Sequence, residues 1–156
     1  MSDELAFDVP FVLGMMRLHE RPELADATRL ADWIEARLDE GLVWFDHADI
    51  YGNRECERLF GEAMARRPAL KSRVKVITKA DIVLPARDHS RFGVKHYDTS
   101  PAYLEERIDA SLSQLGVERL DHFLLHRPDP LLDAHATAAA LDAAIDAGKI
   151  GAVGVS

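Results

Sequence analysis

Cysteine is nearly absent from this chain of 156 residues: Cys56 stands alone, so no internal disulfide can form and a reducing compartment is the natural setting. Its place in a helical pattern reads as packing rather than catalysis. Basic residues are outnumbered, with 19 Lys and Arg against 27 Asp and Glu. The resulting formal net charge of -8 argues against nucleic acid or an anionic membrane surface as the main partner. No uninterrupted apolar run approaches the ~18 residues needed to cross a bilayer. The opening "MSDELAFDVP" is acidic and lacks the basic and apolar regions of a signal peptide. A cytoplasmic, soluble protein is the expectation. The histidines His47, His89, His96, His122 and His135 show no metal-ligand spacing, so no metal is expected.

What is present is an ordinary globular balance, 47% hydrophobic and 29% charged, on a length that suits one domain spanning residues 1–156. Three segments carry helical periodicity. In "PELADATRLADWIEARLDEG" one face holds Ala27, Leu30, Ala31, Ile34 and Leu38, and Gly41 follows as a cap. In "SPAYLEERIDASLSQLG" the stripe is Leu104, Ile108, Leu112 and Leu115, with Ser100 and Pro101 at its start and Gly116 at its end. "LLDAHATAAALDAAIDAGK" runs to Gly148, and a shorter helix covers "RECERLFGEAMARR", halted before Pro68.

Between these lie strand-length apolar runs, "FVLGMMRL", "LVWFD", "VKVITK", "LDHFLLH" and "AVGVS". Apolar residues on both faces suit strands covered by helices, as in a parallel sheet. Strand and helix alternate at a spacing of roughly thirty residues, a run of βα units. The segment "ADIVLPARDHSRFGVKHYDT" reads as one long irregular loop, a usual place for function, with His96 and Tyr97 as candidates to touch a substrate. Trp33 and Trp44 fall in core-like patterns.

Two α/β architectures suit this alternation, a doubly wound open sheet and a (β/α)₈ TIM-type barrel. The first strand is followed by "LGMMRL", which is not the glycine-rich G-x-G-x-x-G fingerprint of many open nucleotide-binding sheets. The barrel fits better, although a barrel typically takes ~250 residues and eight strands, of which this chain supplies about five, with four helices. The expectation is the N-terminal part of such a barrel.

Ionisable groups collect where these strands end. The second predicted strand ends in Asp46, with Tyr51 just beyond it in "WFDHADIYGN"; the third ends in Lys79 and the fourth in His126. In parallel α/β folds the C-terminal strand ends converge on the face where chemistry occurs. A phenol with a reference pKa near ~10 is too weak an acid for efficient proton transfer at neutral pH. A neighbouring ammonium would favour its phenolate, and a carboxylate would hold that ammonium charged and in place. An imidazole would orient a substrate oxygen. The set suits protonation of a carbonyl oxygen while hydride arrives from a cofactor. Asp49, by contrast, reads as a turn residue.

The stretches "GLVWFDHADIYGNRECERLFGEAM", "RVKVITKA", "LGVERLDHFLLHRPDP" and "AGKIGAVGVS" together resemble the aldo-keto reductase family, over nearly the whole chain. "DHADIYG" and "HRPDP" are similar to a bacterial oxidoreductase subgroup called YdhF-like. The resemblance implies a catalytic tetrad of Asp46, Tyr51, Lys79 and His126, with Tyr51 as general acid toward a small-molecule carbonyl. It implies NADPH, or else NADH, as cofactor, with contacts at Gly14, Met15, Asp46 and Ser156. His47 departs from the family's usual threonine or serine, which is expected to alter the pocket. The family's contacts to the adenosine half lie on later strands, so weakened cofactor binding is expected of this chain. Unpaired strand edges are expected to favour self-association. The alternative reading is a non-catalytic binding or regulatory protein of the same fold.

Overall fold

The computed structural model describes residues 11–85 and 93–156. In chain order these form β1 (Leu13–Gly14), α1 (Ala27–Asp39), β2 (Trp44–Asp46), α2 (Glu55–Arg66), β3 (Lys75–Ala80), β4 (Ile82–Val83), β5 (His96–Tyr97), α3 (Pro101–Leu115), β6 (Leu120–Leu125), α4 (Ala134–Asp146) and β7 (Ile150–Val155). Helix starts are set by short polar side chains that take up otherwise unpaired amides. Asp26 accepts from the amides of Thr28 and Arg29 at 3.0 Å each, opening α1. Ser100 does the same for Tyr103 at 3.4 Å, with Pro101 at the first turn of α3 and Gly116 closing it at φ 65°. α4 begins on Asp133, which accepts from His135 and Ala136.

Five strands form one parallel sheet in the order β1-β2-β3-β6-β7. Spatial order follows chain order with no reversal, whereas a doubly wound sheet reverses direction at a switch point. The chain is thus an α/β partial barrel. Helices cover one face: Leu30, Ile34, Phe60, Met64, Leu104 and Ile108 pack with Phe45 and Phe123 of the strands. Alternation along each strand sends neighbouring side chains to opposite faces. Phe45 meets Phe60 of α2 with ring centroids 5.3 Å apart, and Thr78 meets Glu57 of α2 at 2.6 Å. Asp46 and Lys79, one residue further on, therefore face away from the helices.

Two expectations are corrected. The segment after β3 is not wholly irregular, because β4 and β5 pair antiparallel, Ile82 opposite Tyr97 and Val83 opposite His96. The part of it between residues 86 and 92 lies outside the described residues. The first strand is also shorter than its apolar run suggests. After Gly14 the chain turns, with the Leu18 amide donating to the Met15 carbonyl at 3.1 Å. Among the described residues no helix is long and apolar enough to cross a membrane.

Candidate active site

Five strand ends are laced together by backbone hydrogen bonds that continue beyond the regular ladder. The Met15 amide donates to the Asp46 carbonyl at 2.9 Å, the His47 amide to Ile77 at 2.8 Å, and the Asp49 amide to Lys79 at 3.0 Å. The amide of His126 donates to Ala80 at 3.2 Å, and that of Ser156 to Leu125 at 2.9 Å. The loop after β2 is thus strapped along β3, which brings Tyr51 over Lys79. Three successive left-handed residues then reverse the chain: Gly52 at φ 59°, Asn53 at 59° and Arg54 at 73°. A Cβ at Gly52 would lie 2.8 Å from Cys56 Sγ and from His19 Cγ, so glycine is required there by space as well as by backbone angle.

Lys79 is the hub. Its Nζ donates to both carboxylate oxygens of Asp46 at 2.7 and 2.8 Å, to the His47 carbonyl at 2.8 Å and to the Tyr51 hydroxyl oxygen at 3.2 Å. An ammonium carries three hydrogens and no lone pair. One goes to the Asp46 carboxylate, one to His47 and one to Tyr51, so the group is saturated and fixed. Because the Tyr51 oxygen accepts from Lys79, its own hydrogen remains to be donated elsewhere. The His126 ring stands edge-on to Tyr51, centroids 5.9 Å apart at 81°. Both line an open cleft of about 700 Å³ whose wall also carries Lys95 and Arg127. Burial first, then the charges of Lys79, Arg127 and Lys95, press the His126 pKa down to about 4, so the imidazole is neutral at neutral pH.

All four residues singled out at the strand ends come together. Of the residues placed near a cofactor, Gly14 sits opposite Asp46 in the sheet, with nothing within 4 Å of where a Cβ would stand. Ser156 is exposed just past β7. Met15 differs, since its side chain is 5% exposed and belongs to the core. His47 also departs from expectation: its ring is fully buried against Phe60, centroids 4.7 Å apart, and does not enter the cleft. Burial above all, with the charge of Lys79, holds its pKa down to about 3. His96 and Tyr97 do not line the cleft; Lys95 does.

A model of the Aldo/keto reductase family matches residues 10–156. The chain belongs to that family. It is 41% identical over its full length to a 6-dehydroglucose reductase of Agrobacterium fabrum, of which it covers 52%. It is 39% identical to the oxidoreductase YdhF of Escherichia coli across 94% of this chain and 48% of that one. Among solved structures, the glycerol dehydrogenase AKR11B4 of Gluconobacter oxydans matches with a TM-score of 0.76 and 29% identity, over 96% of this chain and 46% of that one. The chain therefore spans about half the length of the curated relatives it matches.

Two buried acids of this aldo/keto reductase chain escaped the sequence reading. Glu57 is 3% exposed and accepts from Thr78 Oγ1 at 2.6 Å and from Ser111 Oγ at 3.1 Å. Its place beside Cys56 and three residues before Phe60, on the apolar stripe of α2, was the available signal. Asp81 is fully buried at φ 138°, and nothing in composition or spacing marks it. Asp49, read as structural, is buried with the Arg107 guanidinium 3.9 Å from its Oδ2.

Proposed function

We propose that this chain, residues 1–156, forms the N-terminal part of a (β/α)₈ reductase that converts an aldehyde or ketone to the alcohol using NADPH, with NADH the alternative donor. The observation that carries this reading is the saturated Lys79 ammonium, which leaves the Tyr51 hydroxyl free to give its proton to the cleft. The bound cofactor would supply hydride to the carbonyl carbon. Tyr51 delivers the proton to the carbonyl oxygen, and Lys79 at 3.2 Å stabilises the negative charge left on the phenol. Asp46 pairs with the Lys79 ammonium and holds it in place in a site where the lysine side chain is only 7% exposed. His126, neutral, hydrogen-bonds the substrate oxygen and orients it without competing as an acid.

The residues fit a nicotinamide ring. Gly14 leaves open space in the same row as Asp46, and Ser156 offers its hydroxyl to a carboxamide. Met15, with its side chain in the core and its amide on the Asp46 carbonyl, has only the second lone pair of its carbonyl to offer. A cytoplasmic setting agrees with a single, buried thiol at Cys56.

Replacing Tyr51 by Phe tests the reading. Aldehyde-dependent oxidation of NADPH should fall by about 10²–10⁴-fold, the usual contribution of a positioned general acid, while cofactor binding persists. Turnover that survives in Tyr51→Phe would remove the proposed role. Absence of any turnover, together with unchanged ligand binding in the variant, would favour the non-catalytic alternative.

A further inference from the structure

Resting on that reading, we propose that Asp81 is a positioning residue: its buried carboxylate anchors the backbone where β6 ends and thereby sets the His126 imidazole against Tyr51. Asp81 directly follows β3, two residues beyond Lys79. Its Oδ2 accepts from the Arg127 amide at 3.0 Å, the residue next to His126, and its carbonyl accepts from the Asp98 amide at 2.8 Å. The exit of β6 is thus held from two sides, by the Ala80 carbonyl under the His126 amide and by the Asp81 carboxylate under that of Arg127. Arg127 Nη1 in turn donates to the His126 carbonyl at 3.1 Å.

The backbone argues that this aspartate is there for more than folding. At φ 138° an L side chain is strained, and glycine would suit the position. The side chain is also fully buried, and Oδ1 has no hydrogen-bond partner among the described residues. A glycine would remove both costs and leave β3 and β6 still paired along Ile77–Ala80 and His122–Leu125. What it would not replace is the acceptor under Arg127. Local strain kept beside a reacting cluster is the usual mark of a functional constraint.

The same burial pushes the Asp81 pKa up to about 6; the Arg127 and His126 amides and the Arg127 charge oppose the rise, and Asp129 adds to it. The charged groups acting on Asp81 are thus Arg127 and Asp129 after β6; Asp98 after β5 meets it through its amide, its own carboxylate being engaged by the Ser100 amide at 2.9 Å. Protonation of Asp81 weakens its hold on the Arg127 amide, and His126 should register it.

The test uses Asp81→Gly and Asp81→Asn in this chain, with the His126 ring followed by NMR and turnover by aldehyde-dependent NADPH oxidation. Glycine should hold or raise the midpoint of unfolding, yet shift the His126 resonances and lower turnover about tenfold, since misplacement of a reacting group costs rate without costing fold. Asparagine, which keeps an acceptor for the Arg127 amide, should leave the neutral-pH resonances in place. In the wild type the His126 signals should show an inflection near pH 6 from Asp81, apart from the ring's own titration near 4, and asparagine should erase it. Unchanged His126 resonances in Asp81→Gly overturn the inference, as does a glycine variant that fails to fold or an inflection that persists in Asp81→Asn. A chain that binds NADPH and an aldehyde yet gives no turnover sinks the reductase reading, while the resonances still decide the role of Asp81.

Discussion

Glu57 shows how much of the site's surroundings depends on single buried groups. It sits among apolar neighbours on α2, and burial raises its pKa above the ordinary 4.5, opposed by the Thr78 and Ser111 hydroxyls and by the charges of Arg54 and Lys79. A carboxyl whose pKa is higher folded than unfolded is disfavoured in its charged form by the fold. Stability should therefore rise as pH falls through the folded pKa toward 4.5, and the cost of the charge should be fully present above it. Glu57→Gln keeps an oxygen acceptor and removes the charge. Its thermal midpoint should exceed that of the wild type most clearly above the folded pKa, with the gap closing as the pH falls toward 4.5. A gap that is independent of pH would show that the hydrogen bonds, not the charge, decide the effect. Asp46, Lys79 and His126 were legible because each closes an apolar run and alternation places them on one face; Tyr51 was legible from its place just beyond Asp46, and the loop strapped along β3 brings it over Lys79. Asp81 was not, because a dihedral angle leaves no trace in composition.

Helices α2 and α3 owe their close approach to one glycine. A Cβ on Gly61 would fall 1.9 Å from the carbonyl oxygen of Gln114 and 3.1 Å from the carbonyl carbon of Leu115, both backbone atoms of α3. Helix propensity alone favours alanine at Gly61 by roughly 1 kcal/mol. Overpacking against backbone costs about 1–3 kcal/mol or more, since the obstacle cannot swing aside as a side chain would. The second effect should win, and Gly61→Ala should lower stability by about 2 kcal/mol in denaturant titration. A variant as stable as the wild type would mean that the two helices can slide apart freely. Elements of this kind were read well where amphipathic stripes and caps coincide, as at Ser100, Pro101 and Gly116 of α3. They were read poorly where only two residues pair, as in β1, β4 and β5. Such short strands exist because neighbouring chain holds them, and local pattern carries little of that information.

The sheet as a whole presents two outer strands, β1 and β7, each paired on one side only among the described residues. Both flanks carry exposed apolar side chains, Phe11 at 65% and Val155 at 79%. A long strand with unpaired amides and carbonyls is a template for another chain, and β7, with six residues, offers far more of one than β1 with two. Charge does not protect this edge, since Ile150–Val155 contains no ionisable residue. A polypeptide of residues 1–156 alone is therefore expected to self-associate through β7. Sedimentation should reveal species heavier than the 17.4 kDa monomer, in proportions that rise with concentration. Val155→Lys places a charge on the exposed edge and should shift the distribution toward monomer. A wild-type chain that sediments as a folded monomer at every concentration would refute edge pairing. A variant that still associates would move the interface to the β1 side.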